Sequence, residues 1–124
     1  MLFVVNGSLR MSSGKIAAQV AHAAVDLYKQ LIKNQPEALE DWEEDGETKI
    51  VVRGQSTDEL QTLEARAKEN PLILTSVIED AGRTEIQSGS LTCLGLFGTN
   101  EQLNPITGHL KLMQDCLKCH LFVL

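Results

Sequence analysis

Two short segments hold the side chains best suited to chemistry. Residues 14–22 read Gly-Lys-Ile-Ala-Ala-Gln-Val-Ala-His, and residues 80–84 read Asp-Ala-Gly-Arg-Thr. Both put charged or hydroxyl groups where a chain building only a core has no use for them. Lys15, Gln19 and His22 recur at i, i+4 and i+7, so on a helix they share one face. That helix would open after a strand and a glycine-containing loop, where outward-pointing backbone N–H groups readily hold a polyanion. Asp80 follows an apolar run that reads as a strand, and loops beyond strand ends supply ligand sites in layered α/β domains. A partly buried Asp80 needs a cation, which Lys15 or Arg83 can supply. The plainer readings are a solvated helix stripe and an Asp80–Arg83 ion pair.

Three other chemistries fail on spacing. A strand, a loop and a Gly-Lys helix start resemble a phosphate loop, but six residues separate Gly7 from Gly14 where the motif needs four. Ile16 also stands where a hydroxyl would hold Mg²⁺. His22, His109 and His120 are candidate bases for serine hydrolysis, yet Ser88 and Ser90 sit in a turn-like Gln-Ser-Gly-Ser string, not a G-x-S-x-G elbow. Cys116-Leu-Lys-Cys119-His120 matches a haem-attachment string, but three close ligands fall short of a four-ligand zinc site. No metal and no cofactor are expected.

The elements that must position these residues follow from the hydrophobic pattern. Leu2–Asn6 is a short β-branched run, the pattern of a buried strand. From about Gly14 to Asn34 the spacing predicts a helix, with Ile16, Val20, Ala23, Ala24, Leu27 and Leu31 on the core stripe. Lys15, Gln19, His22, Asp26, Lys29 and Lys33 form the opposite stripe, and Ser12 or Ser13 caps the start. Pro36 suits the first turn of a second helix reaching about Glu44. Thr48–Arg53 reads as a strand, and Ser56 or Thr57 caps a third helix that buries Leu60, Leu63 and Ala67. Leu72–Ile78 and Leu91–Phe97 read as strands, and a last helix runs from Asn100 to about Met113.

The order β-α-α-β-α-β-β-α implies an α/β fold: three layers, α/β/α, around a mixed four-stranded sheet. The last two strands lack a helical crossover and are expected to run antiparallel if they are neighbours. At 124 residues with 43% apolar content the chain suits one domain with a real core. No segment nears the roughly 18 consecutive apolar residues of a membrane span. The first apolar run is short and lacks a basic leader, so the expected location is cytoplasmic. The net charge is −6, but residues 37–47 hold seven carboxylates and no base. Outside that run ten acids face eleven bases, so a polyanion must bind elsewhere and through few phosphate contacts.

These strings, together with Trp42, Lys49-Ile-Val-Val, Ser88-Gly-Ser-Leu-Thr92-Cys-Leu-Gly95 and Thr107-Gly-His109-Leu-Lys-Leu112, resemble the peptidyl-tRNA hydrolases of the archaeal and eukaryotic (second) type. The resemblance spans residue 2 to about 113 in order, which implies a domain over 1–113 and a tail of unassigned role over 114–124. It implies cleavage of the ester between a peptide and the terminal ribose of tRNA, without metal. Lys15, Asp80, Thr84 and Thr92 then look like the catalytic set, with Gln19, His22, Arg83 and Arg10 binding substrate. An ester's tetrahedral intermediate carries an oxyanion that Lys15 and hydroxyl donors can stabilise, while Asp80 orients water or takes its proton. The resemblance does not say which residue is the base. Thr92 reads equally as a β-branched packing residue.

The chain departs from the family pattern in its first loop. Members there look like Arg-x-Asp-Leu-Lys-Met-Gly-Lys-Gly-Lys, and here Asn6, Ser8 and Ser13 replace Arg, Asp and Lys, while Arg10 keeps a cation. Two lost cations imply weaker tRNA binding. The resemblance implies peptidyl-tRNA as the partner, engaged at its 3′ acceptor end, and leaves room for a protein partner or a homodimer, with no membrane. Two rival readings are a hydrolase-like fold serving protein interaction or signalling, and a non-enzymatic tRNA-binding module.

Overall fold

The first strand, β1 (Leu2–Asn6), lies inside the sheet, and its side chains alternate between two cores. The computed structural model describes residues 1–81 and 89–114. After β1 come α1 (Ser13–Asn34), α2 (Pro36–Glu44), β2 (Ile50–Gly54), α3 (Thr57–Lys68), β3 (Leu74–Glu79), β4 (Leu91–Phe97) and α4 (Asn100–Thr107). This is the expected element order. The sheet runs β2-β1-β4-β3, with β1 parallel to β2 and β4 antiparallel to both β1 and β3. Hence β1, β2 and β3 all end at one edge, where β4 begins and α1 starts.

Two apolar cores make the three layers. Val4, Val52, Leu94 and Leu96 face Leu60, Leu63 and Ala67 of α3 and Leu103 and Ile106 of α4. Phe3 and Cys93 face Ala23, Leu27 and Leu31 of α1 and Leu39 of α2. The helix α1 can sit close because β4 carries Gly95 beneath it. A Cβ there would meet the Ala23 Cβ and the Leu27 Cδ1, both at 3.1 Å. Ser12 caps α1 by accepting from the Lys15 N–H at 3.2 Å, the kind of contact that contributes about 1 kcal/mol.

Five boundaries and one helix face differ from the sequence reading. The last helix ends at Thr107, not Met113. Gly108 closes it through its N–H to the Asn104 carbonyl, and Leu110 turns back onto Thr107. Residues 111–113 then pair along β2, with Arg53 N–H to Lys111 O at 2.9 Å and Met113 N–H to Val51 O at 3.0 Å. An unpaired edge of β2 draws this segment away from helix. The second strand starts at Ile50 rather than Thr48, whose carbonyl is taken by the Trp42 indole N–H. It gains Gly54, bonded to Gly7. The third strand starts at Leu74, because Asn70 holds the Leu72 and Ile73 N–H groups in a turn. It extends one residue past Ile78, to Glu79.

The inward line of α1 is Lys15, Gln19, Ala23, Leu27 and Leu31, spaced by four. Gln19 is buried, and the Lys15 side chain is only 10% exposed. The sequence pattern places both on the stripe opposite the core. At its N-terminal end the helix faces strand ends rather than the apolar core, so its inward positions there are polar and find polar partners.

Candidate active site

The Lys15 ammonium donates to the Asp80 carboxylate Oδ1, joining the start of α1 to the end of β3. The Asp80 side chain is 1% exposed. Its backbone is clamped on both sides: its N–H donates to Ser90 O and its carbonyl accepts from Gly89 N–H, each at 2.8 Å. Gly89 takes φ +84°, a conformation that favours glycine, and so closes the turn beneath Asp80. A charge pair buried this far is costly to desolvate unless its geometry is fixed by such bonds.

One turn along α1, the Gln19 amide donates to the Thr92 hydroxyl at 2.8 Å. Thr92 is fully buried and passes its own proton to the Ile78 carbonyl at 2.9 Å. Its hydroxyl is thus committed to tying α1, β3 and β4 together. His22, a further turn on, is exposed at the wall of the cleft. This cleft, about 1150 Å³, lies between α1 and β3 with Lys15 and Asp80 at one end. Lys15, Gln19, His22 and Asp80 therefore meet in one place, with Thr92 just behind. Thr84 and Arg83 lie outside the described residues, as does the Cys116–His120 string.

Arg10 lies in a second pocket of about 410 Å³, on the other side of Ser12. Sequence reading missed its companion, Arg53, whose guanidinium donates to Gly7 O at 3.0 Å. Among the described residues no carboxylate lines this pocket. The available signal was position: β2 ends beside β1, so a cation at its last residues reaches the loop after β1. Asn6, which stands where the family pattern has a cation, also has a structural role. It is fully buried, and Nδ2 donates to the Thr57 hydroxyl at 2.9 Å and to Leu91 O at 2.8 Å. Its Oδ1 accepts from the Ser8 N–H and hydroxyl at 3.1 and 2.6 Å. Asn6 and Ser8, both departures from the family pattern, thus satisfy each other as a neutral pair.

Among the described residues, no group of three His, Cys, Asp or Glu side chains is placed to hold a metal ion. Nor is any helix among them long and apolar enough to cross a membrane. Burial pushes the Cys93 thiol up to about 12.

A profile of the family described as "Peptidyl-tRNA hydrolase PTH2" matches residues 1–113. The chain belongs to this family. It is 46% identical over 113 residues to the human protein named peptidyl-tRNA hydrolase 2, mitochondrial, covering 90% of this chain and 63% of that protein. Against the probable peptidyl-tRNA hydrolase 2 of Caenorhabditis elegans it is 46% identical over 115 residues, 91% of this chain and 36% of that one. The peptidyl-tRNA hydrolase of Saccharolobus islandicus is 43% identical over 118 residues, covering 91% of this chain and 98% of the relative. The chain thus spans less than two thirds of the animal relatives and nearly all of the archaeal one. In this family member the matched stretch includes Lys15, Gln19, His22, Asp80, Thr84 and Thr92.

Proposed function

We propose that this chain hydrolyses the ester joining a peptide to the terminal ribose of tRNA, freeing the peptide and recycling the tRNA for translation. The carrying observation is the buried Lys15–Asp80 pair at the mouth of a cleft where three parallel strands end. Family membership and the relatives' names support the same reading.

In this mechanism a water molecule attacks the ester carbonyl carbon and gives its proton to the Asp80 carboxylate. The tetrahedral intermediate's oxyanion faces the Lys15 ammonium, a preorganised cation in a water-poor site. Collapse breaks the bond to the ribose oxygen, which takes the proton as it leaves. Thr92 and Gln19 are positioning residues, holding α1 against β4 so that Lys15 meets Asp80. Thr84 and Arg83 join the site by the resemblance alone, as a hydroxyl donor and a phosphate contact. Arg10 and Arg53 offer guanidinium groups to the nucleic-acid backbone, a contact that positions without reading bases. A cytoplasmic site of action belongs to the same proposal. Three mammalian relatives carry "mitochondrial" in their names, so fractionation of cells bearing the tagged chain is the deciding measurement.

The test is release of deacylated tRNA from N-acetyl-aminoacyl-tRNA, with free aminoacyl-tRNA as control. Rapid release from the first and little from the second is expected. Equal rates, or none, would overturn the reading.

A further inference from the structure

The two outer edges of the sheet are treated differently. Residues 111–113 cover the outer edge of β2, whereas β3 is the edge strand on the other side and leads, past a register shift against β4 between Ile78 and Glu79, to Asp80. The Gln30 amide donates to Thr75 O at 2.9 Å, so the Thr75 carbonyl turns away from β4. Strand alternation turns the backbone groups of Val77 and Glu79 the same way. Ile78 and Asp80 turn inward instead, to Thr92, Ser90 and Gly89. The cleft beside this edge is walled by Ala18, His22 and Val25 and carries both signs of charge, the Lys15 and Lys29 ammoniums against the Asp26, Glu79 and Asp80 carboxylates.

Two unlike sites therefore flank Ser12. The arginine pocket, with no carboxylate among its described lining, suits a phosphodiester chain; a groove of mixed charge with outward amides suits an extended peptide.

We propose that the peptide part of the substrate lies along β3 as an added strand, its main chain pairing with Val77 and Glu79. This rests on the hydrolase reading above. The ester ends the peptide at its C-terminus and must reach Asp80, which follows β3, so the added strand runs parallel to β3. Main-chain pairing is indifferent to side-chain identity, which fits a site that must accept many peptide sequences. It is also short. Gln30 occupies the Thr75 carbonyl, so pairing ends about three residues from the ester, roughly 10 Å at 3.3 Å per residue.

The experiment compares N-acetyl-alanyl-tRNA with its di-, tri- and penta-alanyl counterparts. kcat/KM should rise roughly tenfold up to about the third residue and stay flat beyond it, as two added backbone bonds would give. N-methylating the peptide amides should remove the gain. Val77→Pro deletes an N–H that points away from β4, so it should bring the tri- to mono-alanyl ratio close to one. If that variant melts early, the N-methyl series alone decides. Independently of hydrolysis, N-acetyl-trialanine amide titrated into ¹⁵N-labelled protein should shift the Val77 and Glu79 amides. Hydrolysis without length dependence or shifts overturns the groove and spares the hydrolase reading. Shifts without hydrolysis do the reverse.

Discussion

Gln19 and Thr92 face each other across the α1–β4 interface, amide to hydroxyl at 2.8 Å. This bond fixes how far α1 rolls on the sheet, and Lys15 sits one turn away on the same line. Thr92→Val keeps the shape but leaves the Gln19 amide buried without an acceptor, a cost of about 1–3 kcal/mol. Thermal melting should report that loss, with kcat falling about tenfold and KM little changed. Thr92→Ser keeps the hydroxyl and should restore kcat, which a packing role alone would not require.

The Lys15–Asp80 pair should be worth both activity and stability. Lys15→Met or Asp80→Asn should each lower turnover by about 10²-fold or more. Each also removes one half of a buried charge pair, costing about 3–5 kcal/mol in denaturant unfolding. The double variant should regain part of the stability, since both charges of the pair are then gone, while its turnover falls no further than the worse single change. Turnover near normal in both single variants would instead favour the protein-interaction reading.

Hydrolysis should survive prolonged EDTA treatment and gain nothing from added zinc. Turnover abolished by chelation and restored by metal would contradict the mechanism.

Binding of tRNA should be weak and fall steeply with salt. Each phosphate contact adds roughly 0.7–0.9 to the log–log salt slope, and the arginine pocket offers few contacts. Ser13 is exposed on the first turn of α1, so Ser13→Lys should tighten binding and raise the slope by about one contact, with kcat nearly unchanged. Filter binding across a salt series measures both.

Cys93 makes an alkaline limit. Its thiol is raised from 9.0 to about 12 by burial, so the unfolded chain loses this proton first as pH rises. The contribution is intact below about pH 9 and lost between 9 and 12, at about 1.4 kcal/mol per pH unit. Comparing unfolding of the wild type and Cys93→Ala at pH 7 and 10.5 should show the gap between them narrowing by about 2 kcal/mol.

The element order was legible because each helix and strand carries its own period and punctuation. Pro36 opens α2, Ser56 caps α3, and Val4 against Phe3 marks a strand buried on both faces. Residues 111–113 were not legible. Their strand-like pairing comes from the bare edge of β2, not from their own propensity. In the site, Lys15 and Asp80 stood out by residue type and motif. The depth of Gln19 did not, because a polar residue on an amphipathic helix is assigned to water unless its partner, Thr92, is already known to lie opposite. Arg53 was missed for a similar reason: its meaning comes from parallel pairing that sets Arg53 beside Val5.

Gly95 has a wider consequence. It brings no side chain to the candidate site, yet the spacing between α1 and the sheet at that point sets where the Lys15 ammonium, earlier on the same helix, must land. The candidate site is in this sense machined to a tolerance of one methyl group, and the gauge block is a hydrogen. A lesion at this position would imitate a chemical defect while every reacting group remained present, its signature being correct parts held at the wrong separation.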